Sequence, residues 1–412
     1  MASTKGVTLL YCQPTPVLRS LTLDAYQVRA RRADQNRHLG AEGLRIPLLG
    51  LFGEVGSLLT QPKRRQREKA TFASYTDAMT EEFGDVLWYL SNLASRHRIP
   101  LSALAQAKGD SDNLRIGLEA SPSLTFRQLE RRSPGRPKGA AQRFQDSDFF
   151  ALGGTVGRLM SEFAAGEHWE LDRGEFLRHL ARTFRLLIRA AQSEKISLGF
   201  AAENNLAKIE SRWPQKTIFL PLFDAKCDKD EQLPRRIEMH FVEKKVNRTT
   251  YVLQSCRGIN IGDRLTDNKG KEDDYRFHDV FHLAYAAILG WSPVMRALFR
   301  VKRKSMPSVD ENQDGARAIL IEEGIATWIF NHGIEHKDFR FTTKLDYSLL
   351  KAIRHLVSGY EVDACTLWQW ELAILEGFKV FRMLKKERTG WIIADMNNRS
   401  ISFRKTPPRT HK

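Results

Sequence analysis

The chain has 412 residues, 42% of them hydrophobic and 28% charged, which is too long for one ordinary core, predicts two or three domains and excludes wholesale disorder. Lysine and arginine (65) outnumber aspartate and glutamate (49), a net charge of +16; such a balance attracts polyanions, whether nucleotides, nucleic acid or acidic membranes, and a generally basic soluble protein shares it. Cys12, Cys227, Cys256 and Cys365 are widely spaced, so neither a CxxC zinc site nor a disulfide framework is expected, and a reducing cytoplasm fits best. The apolar run in MASTKGVTLLYCQPTP is too short for a signal peptide and no apolar stretch of about 18 residues is seen elsewhere, so the expectation is a chain neither secreted nor membrane-spanning.

Helical periodicity dominates the rest of the chain. Residues 22–37 suit an amphipathic helix with Thr22 as N-cap, and residues 46–61 a second helix, apolar on one face. A basic stretch, Lys63-Arg64-Arg65-Gln66-Arg67, comes next. In 76–97, Met79, Phe83, Val86, Leu87, Leu90 and Leu93 recur at helical spacing, Pro100 ends the pattern, and 101–108 begin another helix. Four helices in this order predict a bundle. Residues 119–147 contain RRSPGRPKGAAQ and read as a basic linker; Gly135-Arg136-Pro137 has the form of an AT-hook, a minor-groove insert, or of a solvated basic loop. Helical spacing resumes over 148–213. After PLFDAKCDKDEQLPRR, the segments HFVEKK and TTYVLQS have strand character. Helices are predicted at 275–290, 293–303, 314–332, 346–358 and 364–387, and a short hairpin from about 391.

An internal repeat organises the first half. Gly53-Glu54-Val55-Gly56-Ser57-Leu58 matches Gly154-Thr155-Val156-Gly157-Arg158-Leu159 at four of six positions. Further on, the stretch 95–101 aligns with 192–198 through the shared Ile99/Ile196 and Leu101/Leu198. The second copy has lost its acids: Thr155 stands in place of Glu54, and His179 and Arg182 stand in place of Glu82 and Asp85. The reading is an old duplication in which one half keeps a metal site; chance similarity between two amphipathic helix pairs is the alternative.

Glu54 lies on one apolar helix and Glu81, Glu82 and Asp85 on the next, with Glu82 and Asp85 three residues apart on one face. Acids bordered by Phe83, Val86, Leu87 and Trp88 are costly to bury unpaired. A divalent cation offsets that cost, and magnesium prefers an oxygen set of this kind; a solvated acidic stripe, or salt bridges to the 63–67 run, would offset it too.

The string LLGLFGEVGSLL, the KRRQR stretch and EEFGDVLWYLSNLA together resemble the MazG-like nucleotide pyrophosphohydrolases, whose members carry GExGEL on one helix and EExGDxLWYL on the next. The Tyr26-Gln27 helix and the later Asn205-Leu206-Ala207-Lys208-Ile209 followed by Arg212-Trp213-Pro214 resemble that family's opening and closing helices, so the likeness covers about residues 20–214. It implies a mainly α fold that pairs into a homodimer, although the internal repeat could meet that need within one chain. It also implies a Mg²⁺ cofactor, with Mn²⁺ as a substitute, and cleavage of a nucleoside triphosphate to monophosphate and pyrophosphate. Carried over by position, Glu54, Glu82 and Asp85 become metal ligands and Glu81 a ligand or water-orienting base. Ser57 stands where many relatives have a second Glu, so the resemblance implies one carboxylate fewer than a full two-metal cluster uses. Lys63, Arg64, Arg65 and Arg67 could grip the β- and γ-phosphates or simply face solvent. Trp88 could stack on a base or sit in the core.

In the last region His278 and His282 are i and i+4 on one helix face, a spacing that can grip a transition metal, and Glu322 and Glu323 open IEEGIATWIF. The latter string echoes EEFGDVLWYL, with Ala326 in the place of Asp85, and Lys302-Arg303-Lys304 echoes the 63–67 run. HDVFH has Asp where the zinc-peptidase motif has its Glu base. The region resembles the C-terminal domain fused to some MazG proteins, itself read as a distant MazG-like bundle. The histidines and Glu322 or Glu323 form either a second metal site or pairs inside a bundle.

The expected architecture is therefore a tandem helical bundle, with a catalytic half at 1–118, a linker at 119–147, a degenerate repeat at 148–220 and a C-terminal helical domain with minor β at 235–412. The leading function is a cytoplasmic Mg²⁺-dependent pyrophosphohydrolase of nucleotide-pool control or phage defence. The alternatives are a nucleic-acid-binding or regulatory protein with an inactive fold, and a metal hydrolase using His278, His282 and Glu322.

Overall fold

The computed structural model describes residues 21–36, 40–71, 74–107, 121–132, 147–165, 173–247 and 249–408. The chain is mainly α and forms two compact units, Met1–Trp213 and Pro214–Lys412.

The first unit runs α1 (Leu23–Arg32), α2 (Gly40–Glu68), α3 (Tyr75–Arg96), α4 (Leu101–Ala105), α5 (Phe126–Arg132), α6 (Ser147–Ala165), α7 (Arg173–Ser193) and α8 (Leu198–Arg212). Thr22 caps α1 by accepting from the Ala25 N–H at 3.1 Å, a contact that stabilises a helix start by about 1 kcal/mol. Along α2, Leu44, Leu48, Leu51, Val55 and Leu58 are buried, alternating steps of four and three that make one apolar stripe. The stripe packs on α3, which buries Phe83, Val86, Leu87 and Leu90. Each such side chain contributes about 1.5–3 kcal/mol of burial.

Glycines set how closely these helices approach. A Cβ on Gly50 would lie 2.1 Å from the Tyr89 ring, and one on Gly84 would lie 2.8 Å from the Ala201 carbonyl oxygen on α8. The glycine of EEFGD thus lets α8 seat against α3.

Helix α2 departs from expectation by continuing through Pro62 to Glu68, so the basic run is helical rather than a loop. A mid-helix proline forfeits a hydrogen bond and costs about 3 kcal/mol; the packed stripe before it and the Arg64–Glu68 pair at 3.3 Å after it favour continuation. The same helix, over Glu42–Glu68, is long and apolar enough by composition to pass for a membrane span, against the sequence expectation that no such stretch exists. Here its apolar stripe is core of the helical unit.

The linker expectation also needs correction. Residues 121–132 are part of the fold: the Leu23 N–H donates to the Leu124 carbonyl at 3.0 Å, the Phe126 N–H donates to the Leu21 carbonyl at 3.3 Å, and Leu124, Phe126 and Leu129 are buried. Helix α5 is the second copy's counterpart of α1. Thr22 and Thr125 bridge each other in antiparallel fashion, and the Thr125 hydroxyl accepts from the Gln128 N–H at 3.1 Å just as Thr22 accepts from Ala25. A side chain on each helix then caps the turn after the long hairpin: Gln27 accepts from the Leu101 N–H at 2.7 Å, and Glu130 accepts from the Gly199 N–H at 3.0 Å.

The turns themselves match. Arg98 and Lys195 both adopt left-handed φ, 57° and 58°. After them the Ile99 N–H donates to the Ala94 carbonyl at 3.0 Å and the Ile196 N–H donates to the Ala191 carbonyl at 2.8 Å. The order α1–α4 is thus repeated as α5–α8. The Gly135-Arg136-Pro137 segment lies outside the described residues.

In the second unit a five-stranded antiparallel sheet, ordered β3-β2-β1-β4-β5, comprises β1 (Arg236–Val246), β2 (Thr249–Cys256), β3 (Ile259–Asn260), β4 (Thr389–Asp395) and β5 (Ser400–Arg404). Ile237, Met239 and Phe241 are buried, the period of two that puts alternate residues of β1 on one face. Over the sheet lie α9 (Asp279–Leu289) and α14 (Leu367–Glu387), with α10 (Pro293–Phe299), α11 (Pro307–Asn312), α12 (Ala316–Glu335) and α13 (Tyr347–Leu356) completing the unit.

Every residue of α9 is buried, as befits a helix covered on all sides. The unit is α+β, with the chain's last strands paired to its first, so it is not the repeat bundle that the IEEGIATWIF echo suggests. Arg303 corrects a further echo: it is 1% exposed and bound to Asp314 at 2.7 Å and Glu361 at 2.8 Å. It is a buried ion-pair partner rather than part of a basic phosphate-facing run.

Candidate active site and metal centres

Packing α2 on α3 brings Glu54 into the field of Glu81, Glu82 and Asp85. Burial, and then the charges of Asp85, Glu82 and Glu81, push the Glu54 carboxyl up to about 7, with Lys208 acting against them. All four acids are half-buried.

Three side chains that the sequence did not single out as site residues hold this group in place. Gln61, two turns beyond Glu54 on the same face of α2, donates from Nε2 to Glu82 Oε1 at 3.0 Å. Asn205 on α8 donates to Asp85 Oδ1 at 2.7 Å while accepting from the fully buried Tyr26 hydroxyl at 3.1 Å. Lys208, one turn on from Asn205, forms a short ion pair with Asp85 and lies 3.7 Å from Glu81. Tyr26 thereby fixes the amide that fixes the carboxylate. Asn205 and Lys208 are far away in sequence, at 120 and 123 residues from Asp85, and a search for local spacing does not reach them.

The proposed phosphate grip is largely occupied by protein partners. Arg64 pairs with Glu68, and Arg67 pairs with Glu68 at 2.7 Å. Arg65 stacks over the Tyr75 ring at 4.4 Å and pairs with Glu194 at 3.4 Å. Lys63 is exposed; nine residues from Glu54, it points half a turn away from it on a regular helix. Trp88 packs against the core edge-on to Tyr89, with ring centroids 4.8 Å apart. Its Nε1 is buried without a hydrogen-bond partner among the described residues.

The second copy shows how the acidic site is undone. Thr155, in the place of Glu54, is fully buried and its hydroxyl donates to the Ala151 carbonyl at 2.8 Å. In the repeat register Glu162 takes the place of Gln61 and His179 that of Glu82, and the two pair at 2.9 Å. Amide-to-carboxylate has become carboxylate-to-imidazole, a contact that satisfies itself.

The last region places all four of its candidate residues together. His282 Nδ1 meets Glu322 Oε1 at 2.9 Å, and Glu322 also accepts from the Ser292 hydroxyl at 2.6 Å and the Val294 N–H at 2.8 Å. His282 Nε2 lies 3.4 Å from Glu323 Oε2. His278 Nε2 lies 3.7 Å from the same oxygen and 3.2 Å from Asp279 Oδ1. The HDVFH motif, with Asp in place of the zinc-peptidase Glu, does not point to Asp279 as a ligand, yet the fold brings it into the cluster.

Burial opposes charge on His282, but Glu322 and Glu323 outweigh it and hold the imidazole well above its ordinary pKa. Burial keeps His278 below its own. Glu323, despite burial, is held below the usual carboxylate range by His282 and His278. Among the described residues three groups have ligand atoms all within 4.8 Å of one another: His278 with Asp279 and His282; His332 with Glu335 and His336; and Glu162 with Glu175 and His179.

The described residues thus form a tandem helical repeat with an acidic cluster in its first copy, and an α+β unit bearing a His/Asp/Glu cluster. The family model described as the MazG C-terminal domain matches residues 218–407, nearly the whole second unit. The "Gene 37 protein" of Mycobacterium phage L5 is 33% identical over 92 residues, covering 20% of this chain and 79% of that protein. No solved structure matches the chain. The chain belongs to the MazG-like family.

Proposed function

We propose that the first unit is a nucleoside triphosphate pyrophosphohydrolase, releasing monophosphate and pyrophosphate, and that it works in the cytoplasm. The observation that supports this best is Glu54, raised to about 7 by burial and by three carboxylates. A group of acids that cannot all stay ionised at neutral pH suits a divalent cation. Glu54, Glu82 and Asp85 would hold Mg²⁺, or Mn²⁺ in its place, which supplies neutralisation of phosphate charge.

The chain's own groups do the rest. Glu81, next to the cluster and near Lys208, orients the attacking water and takes its proton. Asn205 and Gln61 keep Asp85 and Glu82 in fixed rotamers. Lys208 offsets the excess negative charge, so that an anionic substrate can approach. Arg64, Arg65 and Arg67 are engaged with Glu68 and Glu194, whereas Lys208 already stands among the acids of the site, so the first phosphate contact falls to Lys208.

The test is pyrophosphate release from a panel of NTPs and dNTPs with Mg²⁺, comparing wild type with Glu82→Gln. Loss of about 10² or more in rate in the variant is expected for removal of a group acting directly on transition-state charge. Absence of turnover of any nucleotide by folded wild type would remove the enzymatic reading.

A further inference from the structure

We infer that the second unit carries a transition-metal site, separate from the acidic site of the first unit, formed by His278 Nε2, His282 Nε2, Asp279 and Glu323. The ion it would take is of the zinc class. Magnesium prefers an all-oxygen shell and keeps its waters, whereas two imidazoles with two carboxylates suit Zn²⁺ and its neighbours.

Three observations carry this beyond mere proximity. First, one ligand atom each from His278, Asp279 and His282 lies within 4.8 Å of the others, and all three residues are buried, at 6%, 4% and 0% exposure. Second, His282 Nε2 is wholly buried and makes no aligned hydrogen bond; it stands 3.4 Å from Glu323 Oε2, facing the centre of the cluster. The Glu323 contact is an ion pair too long and misaligned for a good hydrogen bond, and an ion seated between the two groups would satisfy both better.

Third, the opposite edge of the same ring is already fixed. Glu322, itself 0% exposed, accepts from His282 Nδ1–H, the Ser292 hydroxyl and the Val294 N–H. That bond orients the ring so that Nε2 faces the cluster, the arrangement in which a carboxylate positions a metal-binding histidine once the ion takes the place of the Nε2 proton. His278 is restrained in the same way: Nδ1 contacts the Tyr275 carbonyl at 3.0 Å, and the Tyr275 ring stacks on it at 4.2 Å and 2°. Asp279 accepts a short hydrogen bond from Gln254 on β2. His278, Asp279 and His282 are thus each held from behind, on the side away from the cluster.

Glu322 is accordingly a positioning residue and not a ligand, and Asp279 takes its place in the set. Glu323 has a side chain 38% exposed and is the ligand through which the ion meets solvent. The bound ion would tie α9 to α12 and, through Gln254, to the sheet.

The test uses the full-length chain, stripped with chelator and then titrated with Zn²⁺ by calorimetry and with Co²⁺ by visible absorption. Wild type should bind one ion per chain with a tetrahedral-type Co²⁺ band and a raised melting temperature. Glu323→Gln, at the solvent-facing position, and His278→Gln should each weaken Zn²⁺ at least 10²-fold and abolish or shift the band. Glu322→Gln should weaken it 10- to 100-fold and shift the band, which a purely structural role would not do.

Glu82→Gln should leave Zn²⁺ binding and the Co²⁺ spectrum intact, which separates this site from the pyrophosphohydrolase reading. Wild type without a Co²⁺ band, or folded His278→Gln and Glu323→Gln with wild-type Zn²⁺ affinity, would overturn the assignment.

Discussion

Gly84→Ala probes how the α3–α8 contact supports the acidic site. The added Cβ would stand 2.8 Å from the Ala201 carbonyl oxygen and 2.9 Å from Asn205 Cβ, where ordinary contact is about 3.5–4.0 Å. Neither neighbour is the loose end of a flexible side chain, so α8 must move by roughly 0.6–1 Å. Overpacking of this kind costs about 1–3 kcal/mol, against about 1 kcal/mol gained in helix propensity. The net is a loss of up to about 2 kcal/mol, or up to roughly 8 °C in melting temperature for a unit of this size.

Gly157→Ala, in the second copy, is the control. Nothing lies within 4 Å of its Cβ position, so it should gain up to about 1 kcal/mol. Calorimetry of wild type and both variants reads the difference. Because Asn205 and Lys208 ride on α8, nucleotide turnover in Gly84→Ala should fall by about tenfold or more, as a shift approaching 1 Å at a reacting centre can cost about 10²-fold. A melting temperature for Gly84→Ala equal to or above that of Gly157→Ala would refute the packing argument.

The remaining expectations concern charge. Glu54 titrates near 7, so protons compete with metal: apparent Mg²⁺ affinity, measured by titration between pH 5.5 and 8.5, should fall about tenfold per unit below that point, and Lys208→Gln should move the limb to higher pH. In the metal-free protein the sign is opposite. The folded pKa is raised above the ordinary 4.5, so this group's contribution to stability is full below 4.5 and is lost as pH rises through about 7. Asp314→Ala leaves Arg303 and Arg296 buried beside a missing charge, and denaturant unfolding should show the second unit losing about 3–5 kcal/mol. An unchanged midpoint would mean that the arginines find other partners.

The sequence was most informative where a pattern is local. Met79, Phe83, Val86, Leu87, Leu90 and Leu93 all fall in the core of α3, and Thr22 caps α1 as its position suggested. The repeat was visible at GEVGSL and GTVGRL. Its first helix was not, because α5 lies at the start of a basic Pro/Gly-rich stretch and is recognised only by the Thr22–Thr125 bridge and by Glu130 acting as Gln27 does. The extension of α2 beyond residue 61, through Pro62 to Glu68, is likewise not legible locally, since tertiary packing outweighs a local breaker.

At the candidate sites, residues within one helical turn of each other were legible. The contributions of Gln61, Asn205, Lys208 and Gln254 depend on helix or strand neighbours that no spacing rule reports. Arg303 shows the converse: a cation that looks exposed in a Lys-Arg-Lys run is drawn inside by Asp314 and Glu361.

The most direct test of the acidic site's proposed chemistry is hydrolysis in oxygen-18 water with Mg²⁺, with mass analysis of both products. Attack on the α-phosphorus by a water that Glu81 orients predicts label in the nucleoside monophosphate and none in the pyrophosphate. Label in pyrophosphate or orthophosphate, or no hydrolysis at all, would contradict the account.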